Sequence, residues 1–503
     1  MARRFHFIYS MVRPHLNRHL PAALALTLTL GLLPGCSSQP QQAAALPKLD
    51  PQNPVAIEIW HYYNGPQKTA FDTMINQFNE TVGLEQGIIV EAFSQGNVDG
   101  LIAKVTDAAE KKVGAEEVPN IFAAYADTAY EVDKLGLLAD LSPYFSDEEQ
   151  SQYRAEFMEE GDLNGDGALK IFPVAKSVEL LMINSTDFDK FAAATGAKLE
   201  DLSTMEGITR TAESYYHWTD GLTPEPDDGK AFFGRDAMAN YFLIGCRQLG
   251  EELFQVKDAK VTLNADEATL RRLWDNYYVP YVNGYFAAYS RFRTDDAHRG
   301  DIIALLGSCT GVSYFPNEVS VNDIDSYPID CAMMPAPIFE GGEPYAIQQG
   351  AGLSVTKATP QEEYACALFL KWFTDVERNV GFSVSSGYLP VKNEALNTQV
   401  IHSALADLEP ADAQRMELSL DAALTQLDTC TLYATRAFDG GNAARAVLES
   451  SMSDLAVADR QAVMDLMAGG LSREEAVARY DTDEHFQSWY QDLVSQLSAA
   501  CGT

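Results

Sequence analysis

Regular spacing of apolar residues begins at residue 55. Residues 55–60 alternate apolar and polar positions, which predicts a strand, and the apolar residues that follow lie at helical spacing up to Gly83. Residues 88–90 and 119–125 predict two further strands, each followed by a helix. Strands that alternate with helices predict a parallel sheet covered by crossover helices. Ligands of such sheets gather at the carboxyl ends of the strands.

The rest of the chain is richer in helices. Residues 200–300 are mostly helical by pattern, and residues 302–306 predict a short buried strand that opens into a loop of small residues. A strand at 350–356 precedes Thr359, Pro360 and Glu362, which together form a strong helix start. Beyond about residue 400 the pattern predicts helices to the end of the chain.

The residues before this ordered pattern are typical of an export signal. Residues 24–38 hold an apolar run that ends at Cys36, and the segment before it carries arginines without any acidic residue. The run is shorter than the ~20 residues of a membrane-spanning helix. Residues 33–36 resemble the lipobox of bacterial lipoproteins, in which the cysteine receives lipid, although Pro34 stands where that pattern prefers Ala, Ser or Thr. The alternative is a secreted protein in which Cys36 is incidental.

Composition narrows the class of protein. The 503 residues carry a net charge of −36, which argues against nucleic acid or anionic lipid as a partner. An apolar content of 46% excludes wholesale disorder. Residues 37–54 form a polar, proline-rich tether. The chain that remains after the signal and this tether is long enough for two or three lobes. The spacing of the seven cysteines does not match a zinc site, and a pairing of Cys309 with Cys331 stays open.

Residues 162–167 invite comparison with a calcium-binding loop. The sequence Asp-Leu-Asn-Gly-Asp-Gly supplies the early ligands of such a loop, but Pro173 occupies the twelfth position, where the loop requires Glu. A tight turn built on Asp and Gly is therefore the favoured interpretation.

Four stretches resemble one known family in the expected order. Residues 57–80 resemble the opening of the extracellular solute-binding proteins of the sugar type (family 1), which feed ATP-driven importers. Residues 165–188 and 350–374 are similar to the two crossings between lobes in that family, and residues 385–396 contain its Gly-Tyr-Leu-Pro-Val segment. The resemblance covers roughly residues 55–500.

The resemblance implies an α/β fold of the two-lobed periplasmic-binding-protein type (type II), closing on a hinge, with a helical C-terminal region. The implied division is a lipoprotein signal peptide at 1–36, the tether at 37–54, and two lobes. Lobe one would hold 55–173 and 350–388, and the helix-rich lobe two would hold 174–349 and 389–503. Residues 232–246 look like an insertion to which the resemblance assigns no role.

The implied function is capture of a carbohydrate or sugar-like ligand for an ABC permease. We expect a monomer on the outer face of the cytoplasmic membrane, held by lipid on Cys36 and by no other membrane contact, with no nucleic acid, cofactor, metal or catalytic residue. A sugar cleft needs aromatic faces, planar amides and carboxylates. The rim loops and the facing lobe offer ten candidates: Tyr62, Tyr63, Asn64, Gln95, Tyr125, Asp127, Trp218, Ser308, Tyr314 and Tyr388.

Three alternatives stay open. The first alternative is a phosphate ester ligand such as glycerol phosphate, for which the Gly/Ser loop at 307–311 and Arg235 are suitable binding groups. Arg235 is also suited to an ion pair within the protein. A secreted lipoprotein hydrolase of glycans would need two carboxylates ~5–10 Å apart, and a chain with 72 acidic residues always offers candidate pairs. A third alternative is a binding protein that serves a sensor rather than a transporter.

Overall fold

The computed structural model describes residues 46–257, 260–322, 324–406 and 408–502. The signal peptide, Cys36 and the first half of the tether, residues 37–45, lie outside the described residues. The strands are β1 (Val55–His61), β2 (Ile88–Ser94), β3 (Ile121–Ala124), β4 (Glu179–Asn184), β5 (Phe233–Arg235), β6 (Phe254–Lys257), β7 (Lys260–Leu263), β8 (Ala304–Ser308), β9 (Glu318–Ser320), β10 (Ser326–Pro328), β11 (Cys331–Pro335), β12 (Tyr345–Ile347), β13 (Gly352–Val355) and β14 (Thr431–Tyr433).

Helices cover both sheets and make up most of the chain after residue 360. They are α1 (Gly65–Phe78), α2 (Leu84–Gln86), α3 (Val98–Ala109), α4 (Ala126–Lys134), α5 (Asp147–Gln150), α6 (Ala155–Glu159), α7 (Ser185–Thr195), α8 (Met205–Asp220), α9 (Met238–Gln248), α10 (Glu267–Asp275), α11 (Tyr278–Val282), α12 (Arg293–His298), α13 (Pro360–Phe373), α14 (Val376–Ser386), α15 (Thr398–Leu405), α16 (Pro410–Thr429), α17 (Gly441–Ala468), α18 (Arg473–Val477) and α19 (Asp483–Cys501).

The first sheet has the order β13-β3-β1-β2. Strand β1 pairs in parallel with both β2 and β3, so the predicted parallel sheet is confirmed. Strand β13, which comes more than 200 residues later, joins the edge at β3 in the antiparallel direction. The sheet therefore takes a strand back from the distant part of the chain, as the predicted second crossing requires.

The second sheet has the order β11-β4-β8-β5. Strand β4 lies between β11 and β8 and is antiparallel to both, whereas the short β5 is parallel to β8. A separate parallel pair, β12 with β14, lies apart from both sheets. The carboxyl ends of its two strands lead into the same cleft.

Each sheet has its own apolar core. The core of the first sheet, called here core one, contains Ile59, Phe71 and Phe122, and the core of the second, core two, contains Ile183, Phe242 and Trp274. Buried side chains between residues 389 and 432 pack with core one, whereas those between 438 and 497 pack with core two. The structure thus has two lobes, and the exact boundaries given above stay a prediction.

Several local predictions are confirmed. Asp162 accepts hydrogen bonds from the backbone of Asp166 and Gly167, both at 3.0 Å, which is the predicted tight turn. Thr359 caps α13 in a capping box with Glu362. Cys309 and Cys331 are free thiols, and the Cys309 thiol donates to the carbonyl of Gly387.

Among residues 46–502, apart from the undescribed positions, none of the helices is both long and apolar enough to cross a bilayer.

Candidate functional site

A cleft with a volume of about 790 Å³ opens between the two lobes. Lobe one contributes the first turns of α3 and α4, and lobe two contributes the start of α9 and the first three turns of α17. The polar side chains that line the cleft are Asp99, Tyr125, Asp127, Glu160, Asn240, Gln348, Gln349, Thr435, Asn442, Arg445, Glu449 and Ser450. A cleft of this size is in the range of small-molecule sites.

The floor of the cleft follows from the parallel pair β12 and β14. Gln348 and Gln349 come directly after β12, and Thr435 comes shortly after β14. The backbone N–H of Gln348 donates to the carbonyl of Tyr433 at 2.8 Å, which keeps the two chain segments side by side as they leave the strands. The carboxyl ends of parallel strands thus deliver amide and hydroxyl groups to one place.

Ala237 at the start of α9 has an unusual backbone conformation. It lies in the left-handed region with φ of 51°, although it has a Cβ atom. Its carbonyl accepts a hydrogen bond from the N–H of Asn240 at 3.0 Å. The carboxylate of Glu449 accepts from the N–H groups of Met238 at 3.1 Å and Ala239 at 2.9 Å, so α17 caps α9 from across the cleft wall. Residues held in such conformations cluster at ligand sites.

A buried polar chain connects the second sheet to the cleft. Arg235 and Glu179 form an ion pair at 3.1 Å with side chains only 1% and 2% exposed. Asn240 donates to Glu179 at 2.9 Å and accepts from Arg445 at 2.5 Å. Arg235 is therefore engaged within the protein rather than directed at a ligand, and the pair holds Asn240, which in turn fixes the position of Arg445 at the cleft.

A second buried ion pair supports the cleft from lobe one. The Lys176 ammonium, 1% exposed, pairs with Glu160 and donates to the carbonyl of Gly350 at 2.8 Å. Gln348 also donates to Glu160, at 2.7 Å. Lys176 belongs to the segment that crosses between the lobes, where it pairs by backbone hydrogen bonds with Leu389. The ion pair thus joins the cleft floor to the crossing.

Three oxygen atoms at the cleft are buried and have no hydrogen-bond partner among the described residues. They are Oδ1 of Asp127, Oε1 of Gln349 and Oγ1 of Thr435. A buried oxygen without a partner costs free energy comparable to a lost hydrogen bond. Three such atoms around one cleft form a site that accepts hydrogen bonds from donor groups.

Asp127 has an altered acidity. Burial raises the pKa of its carboxyl from 3.8 to about 6, and the nearby Arg445 guanidinium opposes this shift, while Glu131 and Glu160 add to it. Its Oδ1 also lies against the first turn of α17, because a Cβ added at Gly441 would come within 2.3 Å of that atom. The carboxyl group is consequently held in place at the wall of the cleft.

We expect an Asp127→Asn variant to be more stable than the unaltered protein at pH 7.5, by roughly 1–3 kcal/mol. The folded pKa of about 6 lies above the ordinary 3.8, so the stability contributed by the protonated carboxyl is complete below about pH 4 and is lost as the pH rises through 6. Urea unfolding at several pH values between 4 and 8 measures this difference, which should disappear near pH 4.

Asp99, an exposed carboxylate at the same cleft, provides the control. Asp99→Asn is expected to change the unfolding free energy by less than about 0.5 kcal/mol at every pH. A difference between Asp127→Asn and the unaltered protein that does not depend on pH would contradict the assignment of the shift to Asp127.

Two of the ten predicted site residues line the cleft together. Tyr125 and Asp127 occupy the N-terminal end of α4, directly after β3, where the parallel-sheet argument located them. The Tyr125 ring stacks with that of Tyr62 at 6.5 Å between centroids. Tyr62 itself is 8% exposed and lies behind this ring, so it acts on the cleft through Tyr125.

Tyr63 and Tyr388 are packed into core one rather than into the described lining of the cleft. Tyr63 is 1% exposed and contacts Phe71 and Tyr388, with ring centroids 5.1 and 5.8 Å apart. The Tyr388 hydroxyl lies 3.3 Å from that of Tyr62. Burial raises the pKa of all three tyrosines, Tyr62, Tyr63 and Tyr388. Sequence pattern had suggested rim positions because aromatic residues after a strand look alike whether they face solvent or the core.

Asn64 and Tyr314 contact each other away from this cleft. The Tyr314 hydroxyl donates to the side-chain oxygen of Asn64 at 3.1 Å. Gln95 is half-buried and donates its backbone N–H to the carbonyl of His61 at 2.7 Å. All three residues lie outside the described lining of the cleft.

Ser308 and Trp218 also lie outside that lining. Ser308 caps the short 3-10 helix at Cys309–Tyr314 and accepts from the backbone of Thr310 at 3.3 Å. Trp218, on α8, packs against Phe191 and Tyr215 in core two. The ligand-binding roles predicted for these residues stay predictions without a contact at the cleft.

Sequence reasoning missed most of the lining. Asn240 belongs to the segment 232–246, for which no role was predicted, and Arg445 and Glu449 belong to a C-terminal helix some 200 residues farther on. The pattern of α17 offers one signal, since its lining residues recur at positions 442, 445, 446, 449 and 450, which is one face of a helix. That face is polar and is therefore indistinguishable from a solvent-exposed face in the sequence.

A polar cleft between two α/β lobes, crossed by several chain segments, defines the class of two-lobed ligand-binding proteins. Residues 73–408, two thirds of the chain, match the family model of the bacterial extracellular solute-binding proteins. The chain belongs to this family, which also gives it an extracytoplasmic location. No curated protein sequence matches the chain.

Solved structures share the fold at low sequence identity. The cyclic α-maltosyl-1,6-maltose binding protein of Arthrobacter globiformis matches with a TM-score of 0.63 and 16% identity, covering 89% of this chain and 99% of that one. UgpB of Mycobacterium tuberculosis, in complex with glycerophosphocholine, gives 0.60 and 18%, covering 88% and 99%. The maltotriose-bound maltodextrin-binding domain MalE of Bdellovibrio bacteriovorus gives 0.58 and 14%, covering 88% and 100%.

Proposed function

We propose that the protein captures a carbohydrate or sugar-like ligand in the interlobe cleft and delivers it to an ABC permease. The observation that carries this proposal is the set of three buried, unpartnered oxygens of Asp127, Gln349 and Thr435 around one cleft. Hydroxyl groups of a sugar donate hydrogen bonds to such acceptors and so remove their desolvation cost. The Tyr125 ring adds one aromatic face for a sugar ring.

Family membership supports the same proposal, since solute-binding proteins serve import. Among the structural relatives, the Arthrobacter protein is a binding protein for cyclic maltosyl-maltose and the Bdellovibrio domain is bound to maltotriose. The Mycobacterium protein is in complex with glycerophosphocholine. The cleft favours neutral sugars over phosphate esters, because its lining holds four carboxylates and one arginine. Hence we place carbohydrate before phosphate ester.

The ligand class is tested by thermal-shift and calorimetric screening of the full chain in detergent. The panel contains neutral mono- and oligosaccharides, amino sugars and glycerol phosphates. A ligand that binds only the folded state raises stability by ~2.7 kcal/mol at a hundredfold excess over its dissociation constant. A shift with sugars and without turnover supports the proposal, whereas cleavage of a glycan would favour the hydrolase alternative, and a silent sugar panel would contradict the carbohydrate assignment.

We further propose that lipid on Cys36 anchors the protein to the membrane. The signal-like segment and the lipobox resemblance at 33–36 support this proposal, and both lie outside the described residues. A single lipid chain gives only marginal membrane binding, whereas two or more chains anchor a protein stably.

A Cys36→Ser variant is expected to lose the anchor. In cells fed radiolabelled palmitate, the unaltered protein should carry label and partition into the detergent phase, while the variant should carry none and partition into water. Cys430→Ser, which alters a half-buried thiol among the described residues, is the control and should leave labelling unchanged. Equal labelling of Cys36→Ser and the unaltered protein would contradict the anchor.

A further inference from the structure

The charges that line the cleft are strongly unbalanced. Asp99, Asp127, Glu160 and Glu449 contribute four carboxylates, and Arg445 is the one cation of the described lining. Charges on the walls of a narrow cleft act more strongly on a ligand than exposed charges do, because field lines concentrate there. The cleft therefore attracts positive charge.

Partners within the protein already satisfy most of these charges. Lys176 and Gln348 hold Glu160. The Glu449 carboxylate accepts hydrogen bonds from two backbone N–H groups at the N-terminus of α9. The N-terminus of a helix stabilises a negative charge. The Arg445 guanidinium donates to Asn240. These groups form a preorganised frame rather than free ligand contacts.

Asp127 differs from the other three carboxylates of the cleft lining. Its Oδ1 is buried and has no partner among the described residues, and Gly441 packs closely against the same atom. Two residues before it, Tyr125 brings an aromatic face to the lining. A carboxylate and an aromatic face in one cleft can bind an ammonium group, the first through a charge-assisted hydrogen bond and the second through a cation–π contact.

We propose that the cleft selects amino sugars, with the protonated amine at Asp127 beside Tyr125 and the ring hydroxyls at Gln349 and Thr435. This inference rests on the proposed function, because it assigns a substrate class to the same cleft. An amine supplies both a hydrogen bond and a positive charge to the Asp127 carboxylate, and a neutral hydroxyl supplies only a hydrogen bond. Phosphate esters meet repulsion from the same carboxylates.

The test compares two disaccharides of the same linkage by calorimetry at pH 7.0 with the full chain in detergent. One is the β-1,4-linked glucosamine dimer, and the other is cellobiose, in which hydroxyls replace the amines. The glucosamine dimer is expected to bind at least tenfold more tightly. In Asp127→Asn this preference should fall to less than about threefold, and Asp454→Asn, which removes an exposed charge of α17 outside the described lining, should retain it.

The outcomes separate this inference from the proposed function. Equal or tighter binding of cellobiose overturns the amino-sugar selection and leaves carbohydrate binding in place. A preference for the amine that survives in Asp127→Asn overturns the assignment to Asp127. If neither disaccharide binds at millimolar concentration, the selection is overturned, and the proposed function falls only if the wider sugar panel is silent as well. Asp127→Asn is expected to fold, since it removes a buried unpaired charge.

Discussion

Replacing Lys176 by methionine is expected to lower the free energy of unfolding by about 3–5 kcal/mol. The ammonium is 1% exposed and its partner Glu160 is 10% exposed, so the substitution leaves a buried carboxylate without its counter-charge. It also removes the donor to the carbonyl of Gly350. Urea unfolding at pH 7 measures the loss, and near-ultraviolet circular dichroism confirms that the variant is folded before denaturant is added.

Two further variants identify the cause. Lys68→Met breaks an ion pair with Asp72 whose side chains are 44% and 41% exposed, and it should cost at most about 1 kcal/mol. The double variant Lys176→Met with Glu160→Gln has no unpaired charge at this position. It should therefore be more stable than Lys176→Met alone. If the double variant loses as much unfolding free energy as Lys176→Met and Glu160→Gln lose in sum, the two residues do not stabilise the protein through their ion pair.

Replacing Ala446 by tryptophan is expected to weaken binding of the tightest sugar of the panel about 100-fold, equal to roughly 2.7 kcal/mol. Ala446 is exposed on α17 and faces the cleft, so the indole would fill the space for the ligand without disturbing a core. Calorimetric titration measures the dissociation constant, and thermal unfolding without ligand should change little.

The matched control is Ala458→Trp. Ala458 is exposed on the same helix, twelve residues or about 18 Å farther along it, and is not part of the described lining. Its affinity should stay within about threefold of the unaltered protein. Unchanged binding in Ala446→Trp would locate the ligand outside this cleft, and the proposals that depend on the cleft would fall with it.

We expect closure of the two lobes on a ligand to depend on the segments that pass between them. Two short segments, near Lys176 and near Gln349, pass between core one and core two. They are joined by backbone hydrogen bonds between Ser177 and Gln349, and Lys176 is bonded in the same way to Leu389 of core one. A ligand that hydrogen-bonds Asp127 from lobe one and Arg445 or Asn442 from lobe two would hold the lobes together. Closure is then driven by contacts that exist only when both walls reach the ligand.

Local signals in the sequence determined the elements of lobe one. Alternation at 55–60 and helical spacing up to Gly83 correctly indicated β1 and α1, and Thr359 with Glu362 correctly indicated the start of α13. The family resemblance supplied the two-lobed architecture. The C-terminal region is mostly helical as predicted, with the short strand β14 as the exception. Strands and helices are visible in the sequence because their apolar residues repeat with periods of two and 3.6 residues.

The tertiary structure alone decided the binding site. Tyr63 and Tyr125 both follow strands of the first sheet, yet one is buried against Phe71 and the other lines the cleft. Arg445 and Asp127 line the same cleft, although more than 300 residues separate them in the sequence, because α17 packs against α4. The sequence pattern specifies which face of a helix or strand is apolar. Which polar faces come together depends on how the lobes pack. The free energy of that packing is distributed over both cores, so no short stretch of sequence reveals it.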